Sequence, residues 1–290
     1  MQTPKNAVLP ALALALNALV WGMSWWPFRA LQSHGLHPLW ATAIIYIFAM
    51  ACVTMFKPAG WRGLRKHPML WWLVLASGLA NVGFNWAVTV GDVVRVVLLF
   101  YLMPAWVVLL AWPLLGEKPT GGSLLRLALA LTGVVIVLKT PGAQWPVPES
   151  LADWLALMGG FSFALTNIML RKLSHTPEAS RMLAMFAGGA ALAIAAAVMG
   201  MGWGLVISPP APALAWVSVA IALSLVFLAG NIALQYGAAR LRASATSLIM
   251  LLEVVFASVS SVLLGAGELS TRTLLGGGLI LLASLLSVSR

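Results

Sequence analysis

Long, continuously apolar runs separated by short polar breaks make up most of this chain. A membrane-spanning helix needs roughly 20 apolar residues. The runs predict helices over 7–31, 38–57, 69–90, 93–115, 122–139, 151–170, 180–202, 212–237, 243–266 and 272–289. The fold class they point to is all-α and integral to a membrane, with ten transmembrane helices. A strand-built barrel would alternate apolar and polar positions over segments of about ten residues, which these Leu-, Ala- and Val-rich runs do not do. The first run resembles the apolar part of a signal peptide, but it is long and leads into nine more runs, so it is expected to stay as a helix.

The longest break, Thr140 to Ser150, is rich in Pro and Gly and separates two halves, 1–140 and 151–290, with 141–150 as the loop between them. The halves share a pattern. Asn85-Trp86-Ala87 with Gly91 in the third run matches Asn231-Ile232-Ala233 with Gly237 in the eighth. Leu114-Leu115-Gly116-Glu117 closes the fourth run, and Leu263-Leu264-Gly265, then Glu268, closes the ninth. Five spans is an odd number, so the second half must enter the membrane from the opposite side. The halves are expected to be inverted repeats around a central cavity.

Composition agrees with a bilayer environment: 61% of the residues are hydrophobic, 8% are charged, and the mean hydropathy is +0.97. A net charge of +10 would suggest nucleic acid in a soluble protein. Its placement says otherwise. With ten spans and the N-terminus inside, the outer segments keep Arg29, Arg95, Lys139 and Arg272, while the other thirteen of the 17 basic residues fall on the inner side, from Lys5 to Arg290. This is the positive-inside bias, which places both termini in the cytoplasm and excludes nucleic acid as a partner. The loops are too short to hold a soluble catalytic domain.

Trp21-Gly22-Met23-Ser24, the N-x-A-x-x-x-G pattern in the third and eighth runs, the spacing of Pro104 and Glu117, and the 5 + 5 organisation together resemble the EamA-type branch of the drug/metabolite transporter superfamily. Within it, the Trp-rich opening helix is most like the YddG-type exporters of aromatic amino acids. Glu253 is followed by Val254, where the family's second half often carries Pro. The resemblance implies a secondary transporter in the bacterial inner membrane that exports aromatic or bulky neutral amino acids by alternating access. Family members also move other metabolites and drugs, and a polar cavity would suit a channel-like pore as well. The partners implied are a small-molecule substrate and the lipid bilayer, with no cofactor.

Polar side chains at mid-membrane depth cost several kcal/mol when unsatisfied, so they face a bundle interior or a cavity. Asn81 and Asn85 share one face of the third helix, and Asn231 and Gln235 one face of the eighth. They are candidate substrate ligands, and Asn85 and Asn231, as repeat equivalents, are expected to meet near the pseudo-two-fold axis. Their alternative role is interhelical hydrogen bonding. Tyr101, Trp21, Trp25 and Phe84 are candidate aromatic walls, with Phe161, Thr166 and Asn167 on the sixth helix opposite. Trp40, Trp61, Trp71, Trp72, Trp145, Trp154 and Trp216 sit near run ends and are expected as an interfacial belt. Glu253, an acid well inside a run, is a possible coupling residue. Asp92 and Arg95 are expected to pair locally or face water at an outer turn. Pro27 and Pro104 are candidate bends. Gly276 to Gly278 suit either close helix packing or a dimer contact, so oligomeric state stays open. Cys52, the single cysteine, suits a small core hydrophobe. The four histidines lie in loops and no metal-binding or nucleophile–base motif exists, so the chain does not suggest an enzyme or a metal site.

Overall fold

The computed structural model describes residues 8–116, 118, 120–138, 147–238, 240, 249–250, 252–267 and 270–288. Lys5, Glu117, Lys139, Trp145, Arg242, Glu268 and Arg290, and the side chains of Pro104 and Gln235, lie outside the described residues. The described residues form helices α1 (Val8–Met23), α2 (Trp25–Ser33), α3 (Pro38–Phe56), α4 (Gly60–Lys66), α5 (Leu70–Val90), α6 (Val93–Phe100) and α7 (Met103–Leu115). The chain continues with α8 (Gly121–Leu138) before the Pro- and Gly-rich loop, and with α9 (Leu151–Lys172), α10 (Glu178–Gly202), α11 (Leu214–Ala238), α12 (Leu252–Leu263) and α13 (Thr271–Val288) after it. Seven helical stretches are long and apolar enough to cross a membrane, taking 8–33 and 93–115 each as one, and three shorter apolar helices occupy 121–137, 252–263 and 271–283. The protein is a multi-pass membrane protein.

Two predicted continuous helices are broken. The first turns at Ser24, where both the backbone N–H and the hydroxyl donate to the Trp21 carbonyl. Pro27, three residues on, has no N–H for the Met23 carbonyl, so the regular ladder fails there. The fourth breaks at Tyr101 and Leu102, just ahead of Pro104 in the first turn of α7, a position that suits a residue without an N–H. Gly116, with φ of +75°, ends α7 in the left-handed conformation that only glycine adopts without cost. A short helix, α4, lies where only a basic loop was expected.

α5 packs most extensively on α9 and α10, α10 also on α3, α8 on α13, and α1 on α11 and α12. Small residues set these distances, because without a hydrophobic drive between helices in lipid, close van der Waals approach holds the bundle together. A Cβ on Gly83 of α5 would stand 2.6 Å from the Leu155 carbonyl oxygen and 2.9 Å from Cα of Gly159 on α9. Gly133 of α8 and Gly276 of α13 meet reciprocally, each against the other's carbonyl oxygen. Gly277 abuts Leu98, while Gly278 meets nothing within 4 Å. Two of the three glycines therefore pack inside the protein.

The belt assignment holds for exposure at Trp71, Trp72 and Trp154, which present 58–60% of their surface. Trp216 departs from it: the ring is buried and its Nε1 donates to the Ala211 carbonyl at 3.1 Å, so it anchors the chain leading into α11. Trp40 and Trp61 are half-buried and donate to the Ile207 carbonyl and the Thr54 hydroxyl.

Candidate functional site

The break between α1 and α2 brings the Trp21 ring into the middle of the bundle. It stacks on Phe227 of α11 with centroids 4.7 Å apart and meets Phe84 of α5 edge-on at 6.1 Å. Phe84 continues to Phe100 of α6 at 4.7 Å, and Phe100 to Phe163 of α9 at 5.4 Å. On the other side Phe227 meets Tyr46 of α3 and Phe28 of α2. Rings from seven helices thus form one contiguous aromatic centre, which suits the stacking or edge contact of a planar or bulky apolar group.

Amides lie beside these rings. Asn81 accepts from the Tyr46 hydroxyl and donates to the Ser77 carbonyl at 2.7 Å. Asn85 is fully buried; its Nδ2 donates to the Thr42 hydroxyl at 3.2 Å, and its Oδ1 has no partner. Asn17 on α1 is also fully buried, with Nδ2 directed to the Met250 sulfur and Oδ1 unpartnered. A buried amide oxygen without a donor costs about 1–3 kcal/mol, so both positions offer an acceptor to an incoming N–H or ammonium group.

Several predicted site residues lie elsewhere. Phe161 is 38% exposed and packs against Trp106, off the centre, because it falls on the opposite face of α9 from Phe163. Thr166 is buried but returns its hydroxyl to the Ser162 carbonyl of its own helix. Asn167 donates to the Phe163 carbonyl and toward the Met103 sulfur. Trp25 is turned away from Trp21: its Nε1 donates to the Ser260 hydroxyl of α12 at 3.0 Å, and the Arg29 guanidinium lies over its ring. Asn85 faces Thr42 of α3, and α5 and α11 share no extensive contact. Asn17, Thr42, Tyr46, Phe100, Phe163 and Phe227 were not singled out from the sequence; Asn17, Thr42 and Tyr46 carried the same signal as Asn81, a polar group within an apolar run.

Tyr101, at the break between α6 and α7, places its hydroxyl 3.0 Å from Oε2 of Glu253 and 3.2 Å from the Met250 carbonyl oxygen. Both side chains are buried. The break aims Tyr101 across at α12, where Glu253 lies in the first turn.

The bundle end that holds Gly91 is cross-tied. Arg95 of α6 forks onto Asp153 of α9, with N···O distances of 2.7 and 2.9 Å, and gives Nη1 to the Val137 carbonyl of α8. Asp153 also closes a capping box with Ser150. Asp92 caps α6 locally, as expected, by accepting from the Arg95 N–H. The Arg95 side chain does not stay local, because Asp153 on α9 offers it a planar two-oxygen partner. Arg29 of α2 donates to the Val88 and Gly91 carbonyls at the end of α5. The Val93 N–H reaches the Ala266 carbonyl.

At the opposite end, a cavity of about 580 Å³ opens between α3, α10 and α11, and Cys52 lines its wall instead of the core. Among the described residues no three His, Cys, Asp or Glu side chains gather to hold a metal ion.

A sequence profile of the EamA-like transporter family matches residues 8–139 and 150–289. The curated protein "Uncharacterized transporter YojE" of Bacillus subtilis (strain 168) is 27% identical over 170 residues, 55% of this chain, and the chain spans 54% of that relative's length. A solved crystal structure of a protein that shares 16% identity superposes with a TM-score of 0.60, covering 98% of this chain and 97% of that one. That likeness concerns the fold.

Proposed function

The chain belongs to the EamA-like transporter family, and from that premise we propose that it exports amino acids with aromatic or bulky neutral side chains across a bacterial inner membrane by alternating access. The observation that carries this is the uncharged centre. Six phenylalanine, tyrosine and tryptophan rings follow one another in contact from Tyr46 to Phe163, and the side chain bonded to Tyr46 beside them, Asn81, is an uncharged amide. Such a centre accepts a planar apolar side chain, and amides such as Asn85 offer hydrogen bonds to the zwitterion without preferring either net charge. Asn81, Asn85, Asn17 and Asn231 are the proposed polar contacts, and Trp21, Phe84, Phe100, Phe163 and Phe227 the walls.

The transport cycle rests on two inverted five-helix repeats, ten spans in all, with the basic end cytoplasmic. Packing supports this reading. Exchanging each helix for its counterpart turns the α5–α9 contact into α11–α1 and the α5–α10 contact into α11–α3, while α3–α10 and α8–α13 map onto themselves. Gly91, at the end of α5, abuts Ala152 in the first turn of α9, and Gly237, near the end of α11, abuts Pro10 in the first turn of α1. The family profile also matches in two segments that part at the Pro- and Gly-rich loop. In this arrangement the ties of Arg95, Arg29 and Trp25 close the outer end.

Glu253 is the proposed coupling residue. A phenol has one O–H, yet Tyr101 faces two acceptors, Glu253 and the Met250 carbonyl. Both contacts become hydrogen bonds at once only when Glu253 carries a proton and donates it to the Tyr101 oxygen. Counterflow of labelled aromatic amino acids in proteoliposomes tests the function: saturable exchange is expected. Flux without saturation would mean a pore, and no exchange with any amino acid would remove the substrate assignment.

A further inference from the structure

The cavity between α3, α10 and α11 is a groove whose polarity is divided along its length. Lys57, Arg181 and Arg240 stand at its mouth against one carboxylate, Glu178, and no ion pair joins Glu178 to any of them. Arg181 is turned to the chain, giving Nη1 to the carbonyls of Leu173, Ser174 and Thr176. Lys57 and Arg240 are exposed; Arg240 sets its guanidinium carbon 3.9 Å from the centroid of the Tyr236 ring and gives Nη1 to the Tyr236 carbonyl at 3.0 Å, leaving its other N–H groups for a ligand. Below the mouth the wall is apolar, running along α11 from Tyr236 through Ile232 to Leu228 and along α3 from Phe56 to Cys52. Eight residues of helix cover roughly 12 Å at 1.5 Å per residue. Phe56 and Ile232, at the open side, are 74% and 55% exposed.

Cations at a helix-end mouth above a 12 Å apolar wall match the anatomy of a phospholipid, with its phosphate at the interface and its chains beneath. A freely soluble anion would use the mouth and leave the wall empty. We infer that this groove is a binding site for an anionic phospholipid of the cytoplasmic leaflet, its headgroup phosphate held by Lys57 and Arg240 and its upper acyl chain laid against Ile232, Leu228 and Phe56. The inference rests on the proposed membrane orientation and not on the transported substrate. Each exposed cation near an anionic surface contributes roughly a factor of five in affinity, so the pair contributes about 25-fold.

Cys52, the chain's one cysteine, reports occupancy from within the wall. Full-length protein in nanodiscs of phosphatidylcholine, titrated with phosphatidylglycerol, is labelled with an uncharged maleimide. Cys52 labelling is expected to slow as phosphatidylglycerol rises, and native mass spectrometry to find the lipid retained. Lys57→Gln with Arg240→Gln, which alters only exposed side chains, is expected to weaken protection about 25-fold, so that a half-point above about 4% phosphatidylglycerol moves beyond the pure lipid and protection is lost; Lys57→Arg keeps protection. Equal labelling in both membranes, or no labelling in phosphatidylcholine alone, overturns the site. Slowing that survives the double substitution is a surface-potential effect and overturns it too. Protection by a soluble aromatic amino acid in phosphatidylcholine, with none from phosphatidylglycerol, assigns the groove to the solute instead. Failed counterflow alongside lipid protection removes the transport reading and leaves the lipid site standing.

Discussion

The Tyr101 hydroxyl lies 3.0 Å from Oε2 of Glu253, within the bundle and out of reach of solvent. This contact joins the break in one half of the chain to the acid in the other. If proton movement at Glu253 drives transport, Glu253→Gln keeps the neutral shape and a donor for the Tyr101 oxygen. The variant is expected to fold and to exchange substrate, while losing its response to an imposed pH gradient in proteoliposomes. An unchanged gradient response would return Glu253 to a structural role. Tyr101→Phe, which removes the shared hydroxyl, is expected to weaken the same response.

Arg95 and Asp153 set the second expectation. Asp153 is 2% exposed and Arg95 18%, so removing one partner leaves a largely desolvated charge. Asp153→Asn should cost about 3 kcal/mol, read as a lower unfolding temperature in detergent. It should also raise the accessibility of a cysteine placed at Val137 to an impermeant reagent, because the tie holds α6 to both α8 and α9.

Close helix approach predicts a contrast between two glycines. Gly83→Ala drives a methyl into the Leu155 carbonyl and the Gly159 backbone, neither of which is a flexible side-chain end. Overpacking of this kind costs about 1–3 kcal/mol. Gly278→Ala meets nothing within 4 Å and should leave thermal stability unchanged or slightly raised by helix propensity.

Asn85→Ala loses the hydrogen bond to Thr42, a contact worth about 0.6–2 kcal/mol within a membrane. The protein should therefore remain folded by size-exclusion profile. Its unpartnered Oδ1 is the proposed contact to substrate, so counterflow should fall by tenfold or more. Normal exchange would make Asn85 an interhelical contact only.

His37 gives a pH dependence outside the spans. Its Nδ1 accepts the Leu39 N–H at 3.2 Å, and partial burial lowers its pKa below the usual 6.5. The folded state thus binds protons more weakly than the unfolded state. This contribution is present in full above about pH 6.5 and is lost as pH falls through the folded value. His37→Asn keeps a capping acceptor and should flatten the unfolding temperature across that range.

The helices were legible because apolar runs long enough to span a bilayer leave little choice of conformation: every buried backbone group must be satisfied within its own segment. The breaks at Ser24 and Tyr101 were only half legible. Pro27 and Pro104 marked where the ladder loses a donor, and the chain turns three residues before each, beside the Met23 and Phe100 carbonyls left without that donor, but nothing in the sequence showed that the bend would be a full break. The α4 turn went unseen because seven residues carry too little periodicity.

The site was legible as residue types and not as an arrangement. Polarity inside an apolar run marked Asn81, Asn85 and Glu253, since such groups need a partner or a cavity. Which partner each finds depends on helix rotation about its axis, and a rotation of 100° per residue separates Phe161, on the outer face, from Phe163, in the centre. Arg95 shows the same limit: its neighbour in sequence is Asp92, and its partner in space is Asp153. Hydropathy alone determined the membrane class and the boundaries of most helices, because those depend on transfer free energy summed along the chain. Only the tertiary structure decided the aromatic centre, the Tyr101–Glu253 contact and the basic groove, because each joins side chains from helices far apart in sequence whose rotation and depth are fixed by packing.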